Sequence, residues 1–364
     1  MADVRVFDAR REGESWVSYF ADCQGLPPDI YQMPEFGLMN CSLGSEYKLF
    51  TYQEHDAVWA YSFLLQVLPI DYQDIAGKEA RDIETPYGYG GPVTNSHDDA
   101  FIGRANDAFQ KWCLEIGVIA EFVRFHPVRC NQHARSPYIT PIPDRLTVSL
   151  SLTKEKSILS TFDGNARNMV KRFKREGATI EETEFAEDFE QFVEIYKQTM
   201  RRVSADQFYY FNLGYFERLR RLTLGAAKLY VVKRDGRIAA GAIFLMGSDL
   251  LHYHLSATDS NNKVAGATNA LIAKAAEQGW RRGFKRLHLG GGKSNLPNDQ
   301  LLKFKRRMST DEHSFWIGKY VHDESVYSEI CRRWRDRNPN RVAEFGNRLL
   351  CYRFSPPSSI VAEY

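Results

Sequence analysis

The chain has 364 residues, of which 43% are hydrophobic and 26% charged, so it is long enough for two domains with separate cores and is neither disordered nor fibrous in composition. Its 48 basic and 46 acidic residues leave a formal net charge of +2, so any affinity for polyanions has to come from local clusters. The six cysteines, at positions 23, 41, 113, 130, 331 and 351, form no CxxC pair and no metal-ligand spacing, which predicts reduced structural thiols and no metal site. The first residues lack the apolar core of a signal peptide. The longest apolar run, Val58 to Ile70, is interrupted by Ser62 and Gln66 and is too short to span a bilayer. A soluble, cytoplasmic protein without a transmembrane segment is expected.

In chain order, Ile30 to Met39 reads as a short helix entered through Pro34. Tyr47 to Gln53 and Ala57 to Pro69 read as a strand pair, the second so uniformly apolar that it should be buried on both faces. A turn-rich loop, Thr85 to Pro92, precedes a helix over Asp98 to Gly117 and strands over Ala120 to Phe125 and Arg145 to Leu152. The second half repeats this grammar. A helical segment, Lys154 to Glu176, leads to a strand at Thr179 to Thr183. Helices over Phe185 to Val203 and Leu213 to Leu224 flank an aromatic loop, Phe208 to Phe211. Asp235-Gly236 is the turn of a hairpin between Ala227 to Lys233 and Arg237 to Met246, with His252 to Leu255 as the next strand. Small residues around Ala265 to Thr268 open an amphipathic helix running to about Gly279. The strand Arg286 to Leu289 then stops at Gly290-Gly291-Gly292, and a short helix carries Lys303 to Arg307. Leu349 to Phe354 is a last strand-like piece that folds back on the first domain. The fold class is α/β, with one domain over 1–150, completed by 335–364, and a second over 151–334.

Strand, small-residue turn, helix, strand and glycine loop form a crossover unit in which backbone amides can face an anion or a carbonyl. Gly290, Gly291 and Gly292 would allow close approach to main chain, and Lys305 and its basic neighbours would cover the opening. His252 and His254 alternate with Tyr253, so both imidazoles lie on one strand face; each is either a proton acceptor or a buried, satisfied histidine. Arg167, Lys171, Arg172, Lys174 and Arg175 put five cations in nine residues, a stripe suited to pyrophosphate or RNA backbone, or simply a solvated face. Arg201 and Arg202 suit phosphate contact, and Tyr209 and Tyr210 suit stacking or core packing. A third cluster, Arg332 to Arg341, carries no assigned role beyond surface charge.

The runs LHYHLSATD, LHLGGG and DQLLKFKRRM, together with NARNMVKRFKRE, TMRRVSADQFYYFNLGY and PYGYGGP, resemble the Fem-type aminoacyltransferases, the peptidoglycan-bridge group of the GNAT superfamily. The resemblance covers most of residues 85 to 310. It implies two tandem GNAT-like domains sharing a cleft, with the donor site in the second. It also implies amide formation by transfer of an aminoacyl group from aminoacyl-tRNA to an amine on a wall precursor; relatives of the same fold use acyl-CoA. The acceptor amine here is expected on a wall precursor, an amino sugar or a peptide metabolite. No permanently bound cofactor is implied, and charged tRNA and an amine-bearing small molecule or envelope precursor are the implied partners. It places the Phe304-Lys305 pair near the donor ester, and Tyr87, Tyr89, Arg124 and His126 of the first domain in the cleft. The stretch Asn262 to Thr268 has small residues but departs from the Gln/Arg-x-x-Gly-x-Gly/Ala loop that grips coenzyme A, which tilts the expectation toward aminoacyl-tRNA. Two rivals stay open: an acyl-CoA-dependent N-acyltransferase, and a non-catalytic RNA- or glycan-binding relative.

Overall fold

The computed structural model describes residues 2–26, 28–76, 79–153, 157–206 and 209–354. Lys154 to Lys156, Phe208 and the last ten positions of the expected C-terminal completion lie outside the described residues.

The chain opens with β1 (Asp3–Asp8), α1 (Gly13–Asp22), a 3-10 turn (Ile30–Gln32), α2 (Pro34–Met39), β2 (Ser45–Glu54) and β3 (Ala57–Val67). Then come β4 (Arg81–Glu84), β5 (Val93–Thr94), α3 (Asp99–Glu115), β6 (Val118–Arg124) and β7 (Ile142–Ser151). The middle carries α4 (Ile158–Thr161), α5 (Gly164–Phe173), β8 (Thr179–Thr183), α6 (Ala186–Arg202) and α7 (Leu213–Thr223). These are followed by β9 (Ala227–Arg234), β10 (Arg237–Met246), β11 (Leu250–Thr258), α8 (Ala267–Arg281), β12 (Arg286–Gly291) and α9 (Gln300–Arg306). The chain closes with β13 (Asp311–Val321), α10 (Glu324–Arg337), α11 (Val342–Phe345) and a 3-10 turn (Cys351–Arg353).

Two compact units result. Unit 1 is Met1–Leu26, Asn40–Pro143 and Trp316–Tyr364; unit 2 is Pro27–Met39 and Asp144–Phe315. The sequence reading drew its lines near residue 150 and at residue 334.

In unit 1 the strand order is β1-β2-β3-β4-β6, with Ile317 to Val321 of β13 along β6. Pairing is antiparallel except for β4 and β6, which run parallel across the α3 crossover. Strand β3 is buried over nine consecutive residues, as its uniform apolar run requires. Helix α3 is capped by the Asp98 carboxylate, which accepts from Ala100 N at 3.0 Å, and it lays Phe101, Ala105, Phe109 and Cys113 on the sheet.

Unit 2 has the order β7-β12-β11-β10-β9-β8. Again one pair, β11 and β12, is parallel across a helical crossover, here α8, and the others are antiparallel. The repeated grammar of the sequence is thus a repeated α/β topology. Asp235 and Gly236 both have positive φ, 52° and 74°, as a two-residue turn matched to strand twist demands. The core of unit 2 joins Leu150, Val170, Phe173, Val232, Phe244, Leu271, Ala275, Leu287 and Leu289.

Three local expectations are corrected. The helix expected over Lys154 to Glu176 is split: Phe162 turns into the core, 1% exposed, and extended Asp163 caps α5 through Ala166 N at 2.7 Å. Strand β12 does not stop at Leu289 but continues through Gly291, because the ladder with β7 slips by one residue between His288 and Gly290. The C-terminal piece joins unit 1 as a 3-10 turn rather than a strand.

Candidate active site

Unit 2 builds its site where β11 and β12 part. Their ladder consists of Leu250 with Arg286, Leu251 with Leu287 and His252 with His288. Beyond it, β12 runs on along β7, with Gly290 opposite Val148 and Gly291 opposite Thr147. Gly290 has φ 74°, and a Cβ on Gly291 would stand 2.8 Å from the Leu146 carbonyl oxygen. A Cβ on Gly292 would stand 2.5 Å from the Asp299 carboxylate. The glycines are therefore there so that backbone can be approached from both sides.

Asp299 organises this loop. Its carboxylate accepts from Leu302 N at 2.9 Å, capping α9, and from Lys293 N, Ser294 N and the Ser294 hydroxyl at 2.9, 3.0 and 3.1 Å. Burial opposes its ionised form, but these donors prevail and hold it below the usual carboxylate range. On the far side, Arg145 of β7 donates to the carbonyls of Gly292 and Lys293, each at 3.1 Å, and is paired with Asp144.

Lys305 completes the arrangement. It is the buried cation of α9, 6% exposed, and its Nζ donates to the Gly291 carbonyl at 2.6 Å. Burial pushes its pKa down to about 7; the Asp299 carboxylate works the other way and the Arg145 guanidinium adds to the fall. Of its basic neighbours, Lys303 and Arg307 are exposed, and Arg306 is paired with Glu312. Phe304 is half-buried against the unit 2 core.

Beside the glycine loop, Lys293 Nζ donates to the Val203 carbonyl at 3.3 Å, at the C-terminal end of α6. A cavity of about 230 Å³ opens there, lined by Tyr196, Lys197, Met200, Arg201, Tyr209, Tyr210, Phe211 and Phe216. The sequence-selected Arg201, Tyr209 and Tyr210 therefore come together on one pocket. The Tyr196 hydroxyl donates to the Tyr209 carbonyl at 3.0 Å and fixes the loop, and burial pushes the Tyr209 phenol up while Arg145 opposes that rise. Arg202 points elsewhere: it reaches the carbonyl and hydroxyl of Thr258 at 3.2 and 2.9 Å, tying α6 to β11.

Of the two strand histidines, His252 is buried and His254 half-buried. His252 Nε2 lies 2.9 Å from an Asp29 carboxylate oxygen, both side chains 1% exposed, and its ring is edge-on to Tyr31. His254 Nε2 shares a hydrogen bond with the Tyr215 hydroxyl at 2.7 Å. Burial, then the neighbouring His252, pushes its pKa down to about 3, so His254 is neutral at physiological pH. Tyr215 in turn stacks on Phe211 of the pocket, centroids 3.9 Å apart.

Helix α5 buries Ala166, Val170 and Phe173 and turns Arg167, Lys171, Arg172, Lys174 and Arg175 outward. Arg167 donates to the Phe162 carbonyl at 2.6 Å. The glycine that opens α8 is required by packing. Gly266 has φ 75°, and a Cβ there would lie 2.1 Å from the Met169 carbonyl oxygen of α5.

The first-domain candidates lie in unit 1. Arg124 donates to the Thr85 carbonyl at 2.6 Å and stacks over Phe122. His126 Nδ1 accepts from Val128 N and Arg129 N at 3.2 and 3.1 Å, stabilising its own turn, and Tyr89 packs 5.7 Å from its ring. Tyr87 is half-buried. Sequence reasoning missed Arg145, Asp299, Lys197 and Tyr215. Only Asp299, an acidic residue directly before an apolar-periodic run, carried a signal, that of a helix cap.

Among known solved structures, FemX matches this arrangement at TM-score 0.69 and 14% identity, over 90% of this chain and 99% of that one. The chain shares its fold with FemX. It is also similar to the C-terminal domain of a putative lysylphosphatidylglycerol synthetase from Agrobacterium fabrum, at TM-score 0.55 and 12% identity, covering 89% and 97% of the two chains. L-PGS from Bacillus licheniformis matches at TM-score 0.53 and 14% identity over 85% and 92%. In sequence, residues 164–306 match the acetyltransferase (GNAT) domain family. That span runs from α5 to α9 and so includes the glycine loop and Lys305. No curated protein matches the chain in sequence. Residues 164–306 thus resemble an acetyltransferase (GNAT) domain, within an α/β fold shared with FemX. Among the described residues no helix is long and apolar enough to cross a membrane.

Proposed function

We propose that the chain is an acyltransferase that forms an amide on an amine acceptor, with an aminoacyl-tRNA ester as donor. The observation that carries this reading is the buried Lys305 ammonium set on the Gly291 carbonyl, with Arg145 on the next two carbonyls. When an amine attacks an ester, negative charge develops on the carbonyl oxygen, and a donor shielded from water stabilises it most. In this reading Lys305 exchanges its bond to Gly291 for one to that oxygen, and Gly290 to Gly292 let the ester approach the main chain.

The pocket at Arg201, Tyr209 and Tyr210 holds the flat or anionic part of a substrate, and Lys197 supplies a second cation. Arg167 and Lys171, on the outward face of α5, meet the donor's phosphates. His252 and His254 shape this wall: His252 pairs with Asp29, and His254, bonded to the Tyr215 hydroxyl, stays neutral. The acceptor amine gives up its proton to solvent or to the leaving hydroxyl. In this reading transfer is direct, and no acyl-enzyme is invoked. The likeness to FemX and to lysylphosphatidylglycerol synthetase, whose name describes a lysyl group joined to a phospholipid, supports an aminoacyl donor. The reaction belongs in the cytoplasm, where charged tRNA is found.

The GNAT acetyltransferase match favours a second reading, with acyl-CoA as donor on the same site. Incubating the full chain with radiolabelled acetyl-CoA or with labelled aminoacyl-tRNA, each with a wall-precursor peptide, an amino sugar or a peptide amine, separates the two. Label reaching an amine from charged tRNA supports the first reading, and label from acetyl-CoA replaces it with the second. RNA binding with no transfer from either donor overturns both in favour of a binding protein.

A further inference from the structure

We infer that Cys331 and Cys351 of unit 1 form an oxidisable pair that closes to a disulfide and fastens the C-terminal turn to α10. Their sulfurs stand 3.6 Å apart, and the residues are 20 positions apart in sequence. A disulfide needs about 2.05 Å, so closure requires an approach of roughly 1.5 Å. Side-chain rotation supplies that much when both backbones are already in place.

Here they are held in place by contacts that do not involve sulfur. The Tyr327 hydroxyl of α10 donates to the Leu349 carbonyl at 2.8 Å, two residues before Cys351. Two residues after it, Arg353 grips the buried Asp82 carboxylate at 2.8 and 2.9 Å and the Val67 carbonyl at 3.1 Å. Trp334, Ile330 and Tyr352 pack around the thiols, which are 2% and 0% exposed. The turn is thus pinned on either side of Cys351, with its sulfur against Cys331.

The two sulfurs are chemically unequal. The Cys351 thiol donates to Cys331, and the Arg335 guanidinium adds to that stabilisation, so the Cys331 thiol is held below its ordinary value despite burial. Cys351, as the donor, is pushed up. Cys331 is therefore the attacking sulfur and Cys351 the resolving one. The oxidant is a hydroperoxide, small enough to enter when the terminal turn opens locally. The Cys331 thiolate attacks one peroxide oxygen and the O–O bond breaks, giving a sulfenic acid and, with hydrogen peroxide, water after protonation. Cys351 sulfur then attacks the sulfenic sulfur; the S–S bond forms, the S–O bond breaks, and a second water leaves. Two thiols are oxidised by two electrons and one peroxide is reduced.

The remaining cysteines are built-in references. Cys130 is exposed, Cys23 and Cys41 are partly exposed, and Cys113 is buried, its thiol pushed well up by burial and by Glu121. The test uses the full chain carrying Cys130→Ser, treated with hydrogen peroxide, alkylated in denaturant and digested with trypsin. The expected result is a linked species joining peptides 320–332 and 349–353, two hydrogens lighter than their sum and lost on reduction. A reductant-reversible rise of several degrees in the unfolding midpoint accompanies it, as closing a loop of about 20 residues should produce. Adding Cys351→Ser should abolish both and leave Cys331 open to a sulfenic-acid probe. The inference is overturned if Cys331 and Cys351 are still alkylated at peroxide concentrations that consume Cys23 and Cys41. It is equally overturned if Cys331 advances to sulfinic acid without a bridge.

Discussion

Lys305 directs its charge at a single carbonyl, inside a loop that Asp299 and Arg145 hold from opposite sides. A lysine so placed titrates near neutrality, and two consequences follow from its pKa of about 7 against an ordinary 10.5. If it must donate to the developing oxyanion, it must be protonated. The kcat/KM for transfer should then decline on the alkaline side with an apparent pKa near 7, and Lys305→Arg, whose guanidinium keeps its proton, should lose that limb. Stability moves the opposite way. Between about 7 and 10.5 the unfolded chain binds the proton that the folded chain has released, so unfolding free energy rises with pH across that window. Lys305→Met should flatten this slope in urea titrations at pH 6 to 10, and an unchanged slope would show that the lysine is ordinarily solvated. How much of the site was legible in sequence differs residue by residue. Lys305 stood out because the resemblance to the Fem-type enzymes puts a Phe-Lys pair there, and Arg201, Tyr209 and Tyr210 because basic and aromatic residues cluster in a short run. Arg145 did not, since it lies on a distant strand and meets the glycine loop only through sheet pairing. Arg202 looked equivalent to Arg201 in sequence, and only the helical turn of α6 separates a pocket residue from one fixed to Thr258.

At the scale of elements, the crossover β11-α8-β12 is set by close backbone approach as much as by hydrophobic pattern. Gly266 allows α5 to lie against the start of α8, and its left-handed conformation closes that end of the helix. Gly266→Ala should therefore cost roughly 2–4 kcal/mol through overpacking and the left-handed penalty together. Chemical denaturation would measure it, and a loss below about 0.5 kcal/mol would contradict this packing role. Alternation and apolar runs disclosed β3, β10 and the Asp235-Gly236 hairpin in advance, because those signals are local. The break between α4 and α5 was hidden. Phe162 and Asp163 suit a helical pattern until the core claims the ring and the carboxylate turns to cap the next helix. The extension of β12 through its glycines was hidden for a related reason: glycine reads as a loop, while here it admits a bulge against β7. The C-terminal piece read as a strand from its apolar residues, but those side chains fill a core around α10 and not a sheet face.

For the whole molecule, near-neutral net charge conceals a one-sided helix. The outward cations of α5 predict that tRNA binding weakens steeply with salt, whereas a small-molecule donor would show little such dependence. Replacing Arg167 and Lys171 together with glutamine should lower the log–log salt slope by about 1 to 2 if both meet phosphates. An unchanged slope would make the stripe a solvated face. The fold class was legible because two rounds of the same α/β grammar were visible along the chain, whereas the interleaving of units was not: 27–39 belongs with the second unit and residues from 316 onward with the first. Such assignments depend on contacts distant in sequence, which no local pattern records.

The most direct test is single-turnover transfer of a labelled acyl or aminoacyl group to an amine by the unaltered chain and by Lys305→Ala. Circular dichroism and an unfolding curve would verify that both are folded. The predicted result is amide formation by the unaltered chain and a rate about 100-fold lower in the variant, the usual cost of removing one oxyanion donor. Equal rates in the two proteins, or no amide from any donor with the unaltered chain, would contradict the assignment.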